Sequence, residues 1–152
     1  MKKYLGVKIV HGEPMTDYEF AKTIDRPYNV GPKPQEGYKV LYLDGYVSWS
    51  PKEVFKEAYR IIDGNMTFGL AIEAMRKGYK VARKGWNDRG MHLFLMHGRS
   101  IQSRITECYG NGVAEETPVV VDSICMYTAQ KTVVVGWLAS QTDMLADDWE
   151  IV

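Results

Sequence analysis

Residues 38–53 read YKVLYLDGYVSWSPKE and carry the strongest local signals in the chain. Two β-prone runs flank Asp44-Gly45, a dipeptide typical of the two-residue turn of a β-hairpin. Directly after the second run, Ser50-Pro51-Lys52-Glu53 predicts a helix start, with a serine cap, a proline at the first helical position and a glutamate that closes the capping box. The apolar residues that follow recur at helical spacing and predict one buried face: Val54, Phe55, Ala58, Tyr59 and Ile62. A hairpin joined to a helix favours an α+β fold.

The sequence on either side of this stretch completes a small module. Thr16, with Glu19 three residues later, forms a capping box that predicts a short helix. Residues 27–37 hold three prolines and two glycines and predict a loop. Asp63-Gly64-Asn65 is expected to end the helix that begins after Ser50. We therefore interpret residues 1–64 as a small α+β N-terminal module, and no motif in them indicates a function.

Residues 65–152 predict a second module of short helices and strands. Thr67 is expected to cap a helix that runs to Lys77, with Gly78 at its end. Ser140 and Asp143 predict a capped helical turn, whereas residues 103–117 predict a mobile loop. The apolar, β-prone runs that predict strands are residues 79–83, 91–96, 118–127, 132–138 and 148–152. The predicted fold class is thus α+β, with small antiparallel sheets, a few short helices and two modules.

The composition is that of a soluble globular protein. The chain has 152 residues, of which 45% are hydrophobic and 25% charged, and its formal net charge is zero. Two cysteines are too few for a disulfide-framed secreted scaffold. The N-terminal lysines are not followed by the apolar run of a signal peptide, and no run reaches the roughly 18 apolar residues of a membrane helix. We therefore expect a cytoplasmic protein without a membrane partner.

The zero net charge is the sum of a basic and an acidic segment of the chain. Residues 76–104 hold eight basic residues and one acid, whereas residues 107–150 hold eight acids and one lysine. These segments can pair with each other across the fold or between subunits. Alternatively, the basic segment can form a rim for a phosphate-bearing small molecule. A long nucleic acid is not expected as a partner, because the acidic half would repel a polyanion.

No motif in the sequence indicates catalysis or metal binding. The three histidines and two cysteines show no paired metal-ligand spacing. Cys125 lies inside an apolar strand pattern, which favours a core thiol over a nucleophile. The nucleophile elbow, the Walker loop and the Rossmann glycine pattern are all missing. We therefore expect no catalytic residue, no metal site and no cofactor.

Two short segments hold groups that suit a nucleotide. Residues 83–87, RKGWN, supply a cation, a flexible glycine, a stacking ring and an amide in consecutive positions. Tryptophan stacks on bases, arginine pairs with phosphates, and asparagine can pair with the adenine edge. Residues 137–143, WLASQTD, add a second tryptophan, small polar residues and a helix start. Each residue also has an ordinary structural role open to it, with Trp137 in the core and Ser140 and Asp143 as caps.

At these segments the sequence resembles a known family. MTFGLA at residues 66–71, ARKGWN at 82–87, GMHL at 90–93 and WLASQTDMLADDW at 137–149 are similar to the second Thoeris anti-defence family of phages. The resemblance covers residues 66–152. It implies non-catalytic capture of a cyclic nucleotide signal of bacterial immunity. The implied ligand is glycocyclic ADP-ribose, made by TIR-domain enzymes, or a cyclic oligonucleotide of CBASS, made by cGAS-like enzymes.

The resemblance also implies a homo-oligomer, expected to be a tetramer, with pockets between subunits. In such a pocket we expect Trp86 and Trp137 to stack on or line the ligand and Arg83 to pair with phosphate. The remaining candidates are base or ribose contacts and their supports: Asn87, Gln141 and Asp143, with Ser140 and Thr142. Two other functions stay open. One is a protein-interaction module that inhibits a host factor, and the other is a nucleotide-cleaving enzyme that uses Asp143.

Overall fold

The computed structural model describes residues 1–2, 6–86, 90–109 and 118–152. The strands within these residues are β1 His11–Thr16, β2 Glu36–Leu41, β3 Val47–Pro51, β4 Asp63–Met66, β5 Val81–Arg83, β6 His92–Met96, β7 Ser123–Tyr127, β8 Val133–Val135 and β9 Trp149–Ile151. The helices are α1 Asp17–Ala21, α2 Lys52–Ala58, α3 Phe68–Arg76, α4 Gln102–Tyr109 and α5 Gln141–Met144. The strand pairs are antiparallel, and the predicted α+β class is confirmed. No helix in these residues is long and apolar enough to cross a membrane.

The chain divides into two compact units, residues 1–60 and 61–152. The first holds a three-stranded sheet in the order β1-β2-β3, and the second a six-stranded sheet in the order β4-β9-β5-β6-β7-β8. The boundary expected at residue 64 falls inside β4. Asp63 pairs with Glu150 of β9, and the backbone N–H of Ile151 donates to the carbonyl of Ile62 at 2.9 Å. These pairings place residues 61–64 in the second unit.

The first unit is built on the predicted hairpin. β2 and β3 form the predicted antiparallel hairpin, but its loop has three residues, 43–45, instead of two, because the Tyr42 N–H donates to the Tyr46 carbonyl and the Gly45 N–H donates to the Tyr42 carbonyl. Gly45 ends the loop with a φ of +85°, which glycine adopts without steric cost. The Thr16 capping box is also confirmed, because the threonine hydroxyl accepts from the Glu19 N–H and the Glu19 carboxylate accepts from the Thr16 N–H. Phe20 and Val40 are fully buried in this unit.

Helix α2 differs from its prediction at both ends. Ser50 and Pro51 pair with β2, so their backbone is extended, and Ser50 does not cap the helix. Pro51 occupies the N-cap position and makes no side-chain capping bond. At the other end Tyr59 has an extended backbone, so the helix stops before Ile62. The predicted buried face does not form: no residue of α2 is buried, and Val54 and Ile62 are 55% and 45% exposed. Residues 63–65, predicted to stop the helix, lie in β4.

Helix α3 supplies much of the core of the second unit. Its predicted start and end are confirmed, because the Thr67 hydroxyl accepts from the Leu70 N–H and Gly78 has a φ of +88° after the last turn. Cys125 is fully buried, as predicted for a core thiol. The buried side chains that form one cluster here are Met66, Ala71, Ala74, Met75, Val81, Leu93 and Trp149.

Two predictions for the last third of the chain need correction. The sequence predicts a loop over residues 103–117, but residues up to Tyr109 form helix α4, and residues 110–117 lie outside the described part of the chain. The run 118–127 forms a strand only from Ser123. The side-chain amide of Gln102 holds the preceding residues, because it donates to the Pro118 carbonyl and accepts from the Val120 N–H, both at 2.9 Å. Of residues 132–138, only Val133–Val135 pair with β7.

Candidate functional site

The two predicted binding segments are far apart in the sequence but meet in the second unit. The Arg83 guanidinium donates from Nε to Oδ1 of Asp148 at 2.8 Å and from Nη2 to Oδ2 of the same carboxylate at 3.3 Å. Its Nη1 donates to Oδ1 of Asp143 at 3.0 Å. We call this arrangement the Arg83 clamp: one guanidinium held by the carboxylates of Asp143 and Asp148. It joins the end of β5 to helix α5 and to the residue before β9.

Backbone hydrogen bonds hold the turn that carries Trp86. The Trp86 N–H donates to the carbonyl of Arg83 at 2.9 Å, which closes a four-residue turn. The Lys84 N–H donates to the carbonyl of Asp148 at 3.1 Å, so Asp148 binds this segment with its backbone as well as its side chain. Arg83 lies opposite Trp149 in the β5–β9 register. The start of the turn is therefore fixed to the last strand and to the residue before it.

Four aromatic side chains pack together next to the clamp, and we call them the aromatic cluster: Phe68, Trp86, Trp137 and Trp149. Trp149 is fully buried at the centre, and its indole N–H donates to the carbonyl of Asp143 at 3.1 Å. The centroid of Trp86 lies 5.3 Å from that of Trp149 and 5.9 Å from that of Trp137, in edge-to-face geometry. Trp86 and Trp137 are only half-buried. They therefore keep ring surface available to a ligand.

Helix α5 lies beside the cluster and presents the polar residues of the second segment. Its predicted capping box is confirmed, because Ser140 Oγ accepts from the Asp143 N–H at 3.1 Å and the Asp143 carboxylate accepts from the Ser140 N–H at 3.2 Å. The Ser140 hydroxyl also donates to Oδ2 of Asp143 at 2.6 Å. Gln141 and Thr142 follow in the first turn, and both are exposed. The cap thus leaves two polar side chains on the surface.

The electrostatics of the clamp are those of a stable ion triad. Burial opposes the ionisation of Asp143, but hydrogen bonds from Ser140 and Arg83 hold the pKa of its carboxyl below the ordinary value. Hydrogen bonding to Asp148, and then to Asp143, raises the pKa of the Arg83 guanidinium. The side chains of Arg83, Asp143 and Asp148 are 20%, 16% and 32% exposed. Arg83 and Asp143 are therefore both charged at neutral pH, and both Asp143 oxygens are engaged.

The structure brings most of the predicted site residues together, but it gives two of them other partners. Trp86 and Trp137 contact each other, and α5 carries the other polar candidates, whereas Asn87 lies outside the described residues. Arg83, predicted as a phosphate contact, and Asp143, predicted as a base or ribose contact, bind each other. The ion pairs of Arg83 with Asp143 and Asp148 also show that the basic and acidic segments pair with each other across the fold at this point.

The candidate list built from the sequence does not include Asp148, Trp149 and Phe68. Asp148 completes the clamp, and Trp149 and Phe68 complete the aromatic cluster. The sequence feature that points to Asp148 is the acidic segment that follows a basic one. This feature predicts ion pairs but does not say which acidic residue pairs with which basic residue. Within the described residues, no three histidine, cysteine, aspartate or glutamate side chains are arranged to hold a metal ion.

Comparison with known proteins assigns the region that contains this site to a family. Residues 66–152 match the family described as Thoeris anti-defense 2-like domain. The chain belongs to this family. The same region is 39% identical over 87 residues to Thoeris anti-defense 2 of Bacillus phage SP01, a match that covers 57% of this chain and 94% of the phage protein. The resemblance noted from the sequence motifs is therefore confirmed.

Membership of the Thoeris anti-defense 2-like family supports a phage anti-defence role. The family region begins at Met66, within β4, and includes every member of the Arg83 clamp and of the aromatic cluster. Residues 1–65 lie outside it. The candidate site is thus contained in the part of the chain that carries the family relationship.

Proposed function

We propose that the second unit binds a cyclic nucleotide signal of bacterial immunity and withholds it without cleaving it. The expected ligand is glycocyclic ADP-ribose, the signal of Thoeris defence, and cyclic oligonucleotides of CBASS are the second choice. The observation that carries the proposal is that the family region contains both predicted binding segments and that these segments form one site. The protein would act where the signal is made, in the cytoplasm of the host cell.

The chemistry of the site suits a ligand with bases, ribose hydroxyls and phosphates. Trp86 and Trp137 can stack on a base, an interaction worth about 1–3 kcal/mol per base in single-strand binders. Gln141 and Thr142 offer exposed hydrogen-bonding groups on α5, the helix that Asp143 joins to Arg83. A site held in place before the ligand arrives also favours tight binding, because little conformational entropy is lost when the ligand binds.

The state of Asp143 favours withholding over cleavage. Its Oδ1 accepts from Arg83 and its Oδ2 accepts from Ser140, so neither oxygen is directed at a substrate. A low pKa also makes it a weak general base at neutral pH. A protein that only withholds its ligand needs no nucleophile.

A bind-and-release assay tests the proposal. The full chain is incubated with glycocyclic ADP-ribose, separated from free ligand, and then denatured by heat. We expect ligand to be retained before heating and recovered chemically intact afterwards, as measured by mass spectrometry. Recovery of a cleaved product would show an enzyme instead. Failure to retain this ligand, cyclic dinucleotides and cyclic trinucleotides would contradict the proposal.

We further propose that the protein works as a homo-oligomer, most simply a tetramer. Strand β8 is the last strand in the described order of the second sheet, and Val133, Val134 and Val135 are all exposed on it. Leu138, which follows β8, is 89% exposed. Apolar side chains on an open strand edge favour association with another chain. Pockets formed between copies would enclose more of the ligand than one half-buried aromatic cluster can.

A second candidate function is a protein-interaction module in the first unit. The β2–β3 hairpin exposes Leu43 and Tyr46 at its tip, and tyrosine is a frequent interface anchor. Anti-defence activity in cells carrying Thoeris separates the two functions. If Trp86→Ala abolishes protection of the phage and Leu43→Asp does not, the ligand site is the functional one. The opposite pattern would favour inhibition through the first unit.

A further inference from the structure

We propose that Arg83 is a positioning residue of the ligand site and not its phosphate ligand. Three of the five N–H groups of its guanidinium already donate to carboxylate oxygens, at 2.8, 3.0 and 3.3 Å. The bond to Asp148 is bidentate, the geometry in which arginine binds a carboxylate or phosphate most strongly. Asp148 takes the Nε–Nη2 edge of the guanidinium, so a phosphate would find only two N–H groups that are not already donating to a carboxylate, one on each terminal nitrogen.

The charge of the clamp leads to the same conclusion. One guanidinium stands between two carboxylates, so the formal net charge of the Arg83 clamp is −1. The three side chains are largely shielded from water. Interactions between charges are stronger in such surroundings than in bulk solvent. A phosphate brought to Arg83 would meet Asp143 and Asp148 at close range. The clamp therefore repels anions on balance, and the phosphates of a ligand must lie elsewhere in the site.

What the clamp does is fix three chain segments relative to one another. Arg83 accepts from the Trp86 N–H through its carbonyl, and its side chain binds α5 through Asp143. The same side chain binds the residue before Trp149. The indole N–H of Trp149 in turn donates to the backbone of Asp143. The position of Trp86 relative to α5 is therefore set by Arg83, and a binding site needs its groups held within about 0.5 Å.

The first test rests on the proposed function, because it measures binding of glycocyclic ADP-ribose to the full chain by calorimetry. A positioning role predicts that Arg83→Gln and Asp148→Asn each weaken binding about tenfold, the effect expected when a charged hydrogen bond is lost. The double variant should bind no more weakly than Arg83→Gln alone, since the loss of the guanidinium already breaks the interaction that Asp148→Asn removes. A direct phosphate contact predicts the reverse: Asp148→Asn would free the guanidinium and leave binding unchanged or tighter, and either result would overturn the proposal.

The second test needs no ligand, so failure of the proposed function leaves it valid. The near-ultraviolet circular dichroism of the tryptophans reports how rigidly the aromatic cluster is packed. Arg83→Gln and Asp148→Asn should both lower this signal, while Arg83→Lys should restore part of it and far-ultraviolet spectra confirm the fold. Lys84→Gln is the matched control, because it removes the same charge from the same turn but breaks no clamp contact. A wild-type signal in Arg83→Gln would overturn the proposal.

Discussion

Single residues of the aromatic cluster differ in what they do, although they share one sequence signal. Trp86, Trp137 and Trp149 all lie in motif segments, and nothing in the sequence shows how deeply each of them is buried. In the structure Trp149 is fully buried and its indole N–H donates to the carbonyl of Asp143, whereas Trp86 and Trp137 are half-buried. The sequence could therefore predict the residue types of the site but not which ring belongs to the core.

This difference predicts opposite effects for two alanine substitutions. Trp149→Ala should destabilise the second unit by about 3–5 kcal/mol, as expected when a large core ring is removed. Trp86→Ala should leave the unit folded and weaken ligand binding by about 1–3 kcal/mol, the value of one lost base stack. Urea unfolding and calorimetry with glycocyclic ADP-ribose measure the two effects. If Trp86→Ala unfolds the unit as readily as Trp149→Ala, Trp86 is a core residue.

Asp143 makes the stability of the second unit depend on pH. Its pKa in the folded protein lies below that of an unfolded aspartate, which is about 4. The stabilisation from the ionised carboxylate is therefore complete above about pH 4 and is lost as the pH falls through the folded-state pKa. Asp143→Asn should lower the urea midpoint at pH 7 and flatten its decline between about pH 5 and pH 2. Asp147→Asn, which changes a neighbouring exposed carboxyl, should behave like the unmodified chain.

At the scale of elements, the sequence predicted what depends on neighbours in the chain. Three helix starts, the hairpin and the end of α3 were all predicted, because a cap or a turn uses residues only a few positions apart. The Thr16, Thr67 and Ser140 caps each accept from a backbone N–H three residues later. Such bonds form in the same way wherever the segment lies, so the local sequence is sufficient.

The elements that were missed depend on partners far away in the sequence. The spacing of apolar residues in α2 would allow the helix to continue to Ile62. Residues 62–66 instead pair with the last strand, β9. Residues 118–120 are β-prone, but the side chain of Gln102 takes their hydrogen bonds and leaves them outside the sheet. The Ser50 cap fails for the same reason, because pairing with β2 fixes its backbone. Hydrophobic and capping patterns do not encode which distant residue competes for a backbone group.

At the scale of the whole molecule, the two charge-segregated segments meet at least in part within one chain. Arg83 from the basic segment pairs with Asp143 and Asp148 from the acidic one. These three groups already have partners within the chain, so we expect them to contribute little to association between copies. The valine side chains on β8 are exposed, and we propose that their burial supplies association energy.

This division predicts that the oligomer survives high salt. At about 1 M salt the Debye length is only ~3 Å, so contacts between exposed charges weaken while apolar burial does not. Light scattering on the full chain should give the same oligomer, expected to be a tetramer, at low salt and at about 1 M salt. Val134→Lys should dissociate it, because an edge lysine blocks strand pairing. Val54→Lys in α2, a position of similar exposure in the first unit, should not. A monomer at both salt concentrations would contradict the proposed assembly, and an intact oligomer in Val134→Lys would show that β8 is not its interface.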